Sequence, residues 1–176
     1  PTGCVFNWDN LTPQAVTVIN NNVGTTIIDS KSFTNLDGNN NFGSSIGIYN
    51  GGGTVIIRKC YLGASVGEAI QFENFNGNLL IEDCLFANNK NGVYGLGGSV
   101  NFIVRNCQFV NPNGARAGRG QAVQLNSVSI VGTGSGIFDC EIESFDGEGY
   151  TEDLISNFNL VATVTNPFLI SGNRTR

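Results

Sequence analysis

The sequence predicts an all-β protein, a right-handed parallel β-helix of about six coils that stack as a solenoid. Two observations support this prediction: a short apolar motif recurs along the chain, and the composition is that of a turn-rich β protein. Of the 176 residues, 40% are hydrophobic, only 13% are charged and 24 are glycine. No linker rich in proline or serine divides the chain, so we expect a single domain whose coils occupy residues 16–176.

The recurring motif has an apolar residue, two variable residues, a cysteine, another variable residue and a second apolar residue. It occupies residues 57–62, 81–86, 104–109 and 137–142, and residues 28–33 and 170–175 fit the same frame with Lys31 and Asn173 in the cysteine position. Successive motif cysteines are 24, 23 and 33 residues apart. Because these intervals are typical of solenoid repeats, we expect one motif in each coil.

A second short apolar segment follows each motif. These segments are residues 46–49, 69–72, 92–94, 122–125 and 153–155. A strand of three to five residues is not stable alone, but stacking equivalent strands in register pairs their backbones and closes a continuous core. The sequence therefore predicts two strands per coil, with glycine-rich corners such as residues 50–53 and 97–98.

The cysteine position predicts a structural ladder in the interior. Equal register places the side chains of Cys60, Cys84, Cys107, Cys140 and Asn173 in one column. Reduced cysteine packs as a small buried hydrophobe, and one disulfide between adjacent coils is the alternative. No two cysteines have the CxxC spacing of a zinc knuckle or a thioredoxin-like redox pair.

Charge and composition exclude several classes of function. The net charge of −5 argues against nucleic acid as a partner, and no apolar run is long enough to span a membrane. The chain contains no histidine, which removes Ser-His-Asp and Cys-His catalysis and the most common metal ligand.

Two charged segments predict a candidate site on neighbouring coils. The first contains Arg119, Gln121 and Gln124, and the second contains Glu152 and Asp153. If the site is catalytic, Arg119, Glu152 and Asp153 are the candidate residues, either as paired carboxylates of a glycoside hydrolase or as the acid and base groups of a polysaccharide lyase. The alternative is a solvated cluster of ion pairs without catalysis.

The acidic segment also suggests a calcium site. Asp146, Glu148 and Asp153 provide carboxylate oxygens of the kind that Ca²⁺ prefers. No other cofactor is indicated.

An outward column on the second strands suggests a substrate-binding strip. Alternation along the strands points Tyr49, Gln71, Tyr94 and Gln124 to one face, and Gln121 lies beside them. Aromatic rings stack on sugar rings and amides bind hydroxyls, so the column suits a linear polysaccharide. A cross-strand column that only stabilises the sheet is the alternative.

The cysteine motif resembles the repeats of right-handed β-helices in the pectate-lyase-like superfamily, where an inward asparagine ladder often fills the cysteine position. That superfamily includes polysaccharide lyases, glycoside hydrolases, esterases, epimerases, phage tailspikes and adhesins. Residues 121–125 look like a pectin methylesterase segment, although Glu152 stands where that family has a second glutamine. A closer similarity is to uncharacterised bacterial secreted β-helix proteins, on the Arg-Gly-Gln segment that ends at Gln121, with Gln124, Glu152-Asp153 and Asn173. This resemblance implies a secreted or cell-surface protein that binds or processes a polysaccharide.

The two ends of the repeat array differ in sequence. Residues 1–15 precede the first motif and are expected to cap the first coil, whereas the last motif reaches 175 and no cap is visible after it. We expect additional coils or self-association at this uncapped C-terminal end. A structural, adhesin or fibre-forming β-helix without catalysis is therefore the alternative function.

Overall fold

A computed structural model of the protein describes residues 11–13, 17–33, 44–63, 67–112, 120–144 and 153–176. Every regular element in these ranges is a β-strand, and no helix occurs in them, so none of the described residues forms a helix that could cross a membrane. The all-β prediction is confirmed.

The described residues form nineteen strands. In chain order they are β1 Thr12–Pro13, β2 Thr17–Asn22, β3 Thr25–Asp29, β4 Lys31–Phe33, β5 Ile46–Arg58, β6 Tyr61–Gly63, β7 Glu68–Glu73, β8 Asn76–Glu82, β9 Leu85–Ala87, β10 Asn91–Leu96, β11 Ser99–Arg105, β12 Gln108–Val110, β13 Gln121–Asn126, β14 Ser129–Ile130, β15 Gly136–Phe138, β16 Glu141–Glu143, β17 Ile155–Phe158, β18 Leu169–Ser171 and β19 Arg174–Thr175.

All pairs between these strands are parallel, and equivalent strands of successive repeats are neighbours. Sheet A has the order β1-β4-β6-β9-β12-β16-β19. A twelve-stranded sheet divides at the long strand β5 into two parts, which we name the B wing and the C wing. The B wing contains β2, the first half of β5, β7, β10, β13 and β17, and the C wing contains β3, the second half of β5, β8, β11, β15 and β18.

Each repeat therefore contributes three strands, one to each wing and one to sheet A, and the expectation of two strands per repeat is wrong. The cysteine motif is not one strand: residues 81–86, for example, include the end of β8, a corner at Asp83 and Cys84, and the start of β9. The corner arises because Asp83 adopts a left-handed backbone with φ 53°, which turns the chain between two strands.

The same left-handed corner recurs at the residue before each cysteine position. The corner residues are Ser30, Lys59, Asp83, Asn106, Asp139 and Gly172, with φ between 52° and 70°. The amides of the first five corners each donate to the next repeat; that of Lys59, for example, donates to the Glu82 carbonyl at 3.2 Å. Asparagine, aspartate, serine and lysine occupy most of these corners, so the predicted dependence on glycine is only partly correct.

The core lies between sheet A and the two wings and is filled by apolar side chains from all three. Phe72 of the B wing and Phe102 of the C wing are both fully buried, with ring centroids 5.7 Å apart. In sheet A, the rings of Phe86 and Phe109 stack at 4.5 Å. Because the wings pack against each other and against sheet A in one cluster, they form a single hydrophobic core.

The four motif cysteines are buried in this core as free thiols, which excludes the disulfide alternative for them. Each thiol donates to the carbonyl oxygen two residues earlier, at 3.2 to 3.3 Å, and more weakly to a carbonyl of the preceding repeat. The four cysteines are buried and reduced as expected, but the predicted ladder is not supported, because each sulfur is held by bonds to backbone carbonyls. Burial also raises the pKa of the Cys107 thiol well above its usual value, which favours the protonated, packed form.

Asn173 occupies the same position in the last described repeat but bonds differently. Its amide nitrogen donates to the Ile137 carbonyl at 2.9 Å, and its amide oxygen accepts from the Cys140 backbone amide at 2.8 Å. The longer side chain of Asn173 therefore connects two repeats through both a donor and an acceptor, whereas a cysteine thiol has a single weak donor hydrogen.

Candidate functional site

The predicted binding strip lies on the outer face of the B wing. Gln71, Tyr94 and Gln124 occupy directly paired positions on β7, β10 and β13. All three side chains are partly exposed, whereas Val93 and Val123 beside them are buried in the core. The structure therefore places these three predicted residues in one column, with neighbouring strands about 4.8 Å apart.

Tyr49 is displaced from this column by two residues, and its predicted register is wrong. Gly47 of β5 is the residue that pairs with Gln71, whereas Tyr49 pairs with Glu73. A Cβ atom at Gly47 would clash with the Tyr49 ring, so the ring lies over the glycine and fills the vacant side-chain position in the column. Burial raises the pKa of Tyr49, and the charges of Glu73 and Glu68 raise it further.

A second polar row crosses the B wing at the start of its strands. Glu68, Asn91 and Gln121 are directly paired, and Gln121 donates to Asp153 at a marginal 3.5 Å. The pairing skips the residue after each of the first three while the register stays the same on both sides, and the successive amides of residues 122 and 123 both donate to the Leu154 carbonyl. The ladder is therefore interrupted after the first residue of β7, β10 and β13.

The second row lies within hydrogen-bond reach of the first. Asn91 donates through its side-chain nitrogen to the Gln124 amide oxygen at 3.4 Å and to the Glu68 carboxylate at 3.5 Å. Lys90 forms an ion pair with Glu68 at 3.2 Å. The rows thus form one surface of amides, carboxylates, an ammonium group and an aromatic ring, which we name the B-wing site: Glu68, Lys90, Gln71, Asn91, Tyr94, Gln121, Gln124 and Asp153.

Two acceptor atoms in this site have no hydrogen-bond partner among the described residues. They are the side-chain oxygens of Asn91 and Gln121, whose side chains are 1% and 0% exposed. An unpartnered buried acceptor costs about 1–3 kcal/mol of stability. Such atoms are typical of a site whose donors come from a bound molecule or ordered water.

The charge on the B-wing site is partly neutralised. Lys90 pairs with Glu68, and Gln71 donates to the Glu73 carboxylate at 2.6 Å. Asp153 is exposed and, among the described residues, accepts the long bond from Gln121 that is described above. The described part of the surface therefore has more carboxylates than cations.

The remaining predicted site residues lie outside the described residues. They are the catalytic candidates Arg119 and Glu152 and the calcium candidates Asp146 and Glu148. Asp153 alone of the predicted calcium ligands is described, and no group of three or more cysteine, aspartate or glutamate side chains in the described ranges is arranged to hold a metal ion.

Sequence reasoning missed Glu68, Lys90 and Asn91. A signal was present: a polar residue stands three positions before each member of the outward column, as Glu68 before Gln71, Asn91 before Tyr94 and Gln121 before Gln124. Strict alternation would place the two polar positions on opposite faces of the strand, whereas the bond from Asn91 to Gln124 joins the two rows where the ladder is interrupted.

Comparison of the chain with models of known protein families, with curated proteins and with solved structures finds no match. The parallel all-β architecture agrees with the fold class that the repeats predict, whereas membership of the pectate-lyase-like superfamily has no support from these comparisons. The function must therefore be inferred from the geometry of the chain itself.

Proposed function

We propose that the chain is a right-handed parallel β-helix of about six coils, secreted or displayed at a cell surface, that binds a polysaccharide along the B-wing site. The observation that carries the proposal is the partly exposed column of Gln71, Tyr94 and Gln124, which occupy directly paired positions on the outer face of the wing. The amides of this column can bond sugar hydroxyls, and a sugar ring can stack on Tyr94.

The spacing of the site suits an extended polymer better than a small molecule. Gln71, Tyr94 and Gln124 repeat at the strand separation of about 4.8 Å on a surface with no turn between them. A linear chain that lies across the strands meets a similar group at every step. Binding energy would then accumulate over several weak contacts, as in multivalent recognition.

The described carboxylates favour binding of the polysaccharide without hydrolysis. Glu68 and Asp153 are separated by the strands that carry Asn91 and Gln121, a distance of about 14 Å along the backbone rows. Paired carboxylates in glycoside hydrolases lie about 5–10 Å apart. These two groups are therefore binding residues in the proposal, and catalysis would require Arg119 or Glu152.

The test is affinity for a panel of immobilised neutral and acidic polysaccharides, with Tyr94→Ala as the main variant. We expect binding by the unaltered chain and a loss of about tenfold in Tyr94→Ala, which corresponds to 1.4 kcal/mol. Tyr61→Ala is the matched control, because Tyr61 is a partly exposed tyrosine on sheet A, away from the B wing. Equal affinity of both variants and the unaltered chain, or no binding to any polymer, would contradict the proposal.

A parallel assay asks whether the polymer is cleaved. Ultraviolet absorbance of unsaturated products reports a lyase, and new reducing ends report a hydrolase. Product formation that is abolished in Arg119→Ala or in Glu152→Gln would extend the function to catalysis, and binding without product would limit it to recognition.

A further inference from the structure

The outer face of the C wing carries three ordered rows of side chains that the B-wing site does not use. The central row is apolar: Ile27, Ile56, Leu80 and Ile103 are directly paired on β3, β5, β8 and β11. On β5, β8 and β11 the residues on both sides of this row are buried in the core, whereas Ile27 is 53% exposed and the other three members of the row are partly exposed. The row therefore faces outward.

The apolar row continues beyond these four strands. Its next position is Gly136, over which the Phe138 ring lies, because a Cβ atom there would be 2.8 Å from that ring. Leu169 follows on β18 and is 43% exposed. An outward apolar row across neighbouring strands, with polar rows on both sides, is typical of a protein interaction surface.

Both flanking rows are polar and internally bonded. On one side, Asn78 donates to Thr54 and Asn101 donates to Asn78. On the other side, charges alternate along one paired row in the order Asp29, Arg58, Glu82, Arg105. Arg58 bonds Asp29 at 2.7 Å and Arg105 bonds Glu82 at 2.6 Å, and both arginines stay at least 40% exposed.

The alternating order makes the face complementary to itself. A second copy can be placed face to face with the first by a two-fold axis that is parallel to the strands and passes between β5 and β8. Each row then lies over the same row of the second copy, and the order of the strands is reversed. Negative Asp29 then meets positive Arg105 of the second copy, and Arg58 meets Glu82 of the second copy. In the apolar row, Ile56 lies over Leu80 of the second copy. No like charges meet, as an isologous interface requires.

We propose that the C wing is the face through which two copies of this chain associate side by side. The pairing is an aligned packing of two sheets, with the apolar rows in the centre and the charged and amide rows at the rim. It leaves the B-wing site free, and it differs from end-to-end association through the last repeat because it uses the flat outer face of the sheet and not its edge.

The first test is the molecular mass in solution as a function of protein concentration, measured by sedimentation or light scattering. We expect a dimer that dissociates on dilution. Leu80→Asp, at the centre of the apolar row, should give a monomer at every concentration. Leu96→Asp is the matched control, since Leu96 is a partly exposed leucine on the outer face of the B wing, and it should remain dimeric. A monomeric unaltered chain, or a dimeric Leu80→Asp, overturns the proposal.

The second test uses the charged row and two variants, Arg58→Glu and Glu82→Arg. In a dimer of either variant alone, like charges meet at two places, so each should be a monomer. In a mixture, Glu at position 58 of one chain meets Arg at position 82 of the other, and the second contact pairs the native Glu82 with the native Arg58. Dimers should therefore return only on mixing. Variants that dimerise alone, or a folded mixture that stays monomeric, contradict this register, and circular dichroism verifies folding.

Discussion

The two wings of the twelve-stranded sheet share one strand and one core, yet their outer faces are organised differently. On the C wing, every row from Thr54 to Arg58 of β5 continues in register onto β8, and the outward polar side chains bond to each other. On the B wing, the pairing of β7, β10 and β13 is interrupted after the first residue, and two buried amide oxygens have no partner among the described residues. Regularity favours packing against another flat surface, and irregularity with unsatisfied acceptors favours binding a ligand.

The largest expected effects concern the hydrophobic core that the two wings share. Phe72→Ala in the B wing and Phe102→Ala in the C wing each remove a fully buried ring, so each should lower the free energy of unfolding by about 3–5 kcal/mol. Denaturant unfolding followed by circular dichroism measures this. Both variants should retain one cooperative transition, because the rings belong to the same core. The control Ile103→Ala changes a partly exposed residue of the C wing and should cost clearly less than Phe102→Ala. Two separate transitions would show that the wings unfold independently.

A pair of amide substitutions should have effects of opposite sign on the two wings. Gln121→Leu removes a buried oxygen without a partner and one long bond, so it should leave stability unchanged or raise it by about 1 kcal/mol while it weakens polysaccharide binding. Asn101→Leu removes bonds to Asn78 and Ser135 at 3.2 and 2.9 Å, so it should lower stability by about 1 kcal/mol and leave binding unchanged. Thermal unfolding and the binding assay together measure both. Equal effects of the two changes would remove the distinction between the wings.

The smallest expected effect concerns how the free energy of unfolding decreases at acidic pH. Hydrogen bonds from Ser30 and then Arg58 lower the pKa of Asp29 below its usual value. A carboxylate with a lowered pKa stabilises the fold at neutral pH, and that contribution is lost as pH falls from the unfolded value of about 3.9 through the folded pKa. Asp29→Asn should therefore reduce stability slightly at pH 7 and make it less dependent on pH in the acid range. An acid limb identical to that of the unaltered chain would contradict this assignment.

Much of the fold could be predicted from the sequence, because the cysteine motif recurs at nearly constant spacing and apolar residues alternate around it. The number of strands per repeat could not be predicted. The corners at Lys59 and Asp83 use a left-handed backbone without glycine, and such residues have no distinctive pattern in one sequence. The motif therefore looked like one strand when it is two.

The candidate site was predicted in part for similar reasons. Gln71, Tyr94 and Gln124 follow from simple alternation, and their column is correct. Tyr49 was placed wrongly, because the ring lies over Gly47 and the glycine takes the column position. Glu68 and Asn91 were missed because the ladder is interrupted at the residue after each of them, so simple alternation does not place them beside the outward column, and such an interruption leaves no reliable trace in a single sequence.

The connections between the three strands of a repeat also differ in length. Between the C wing and sheet A the connection is a single left-handed residue or one followed by the cysteine position, as from β8 to β9. Between sheet A and the B wing it ranges from residues 88–90 to residues 34–45. The connection from the B wing to the C wing also varies, from residues 97–98 to residues 159–168. Long connections therefore occur at both ends of the B-wing strands and not between the C wing and sheet A. A lineage carrying this scaffold can alter the segments beside its binding surface while the packing of the phenylalanine core stays intact, so recognition and foldability are free to evolve separately.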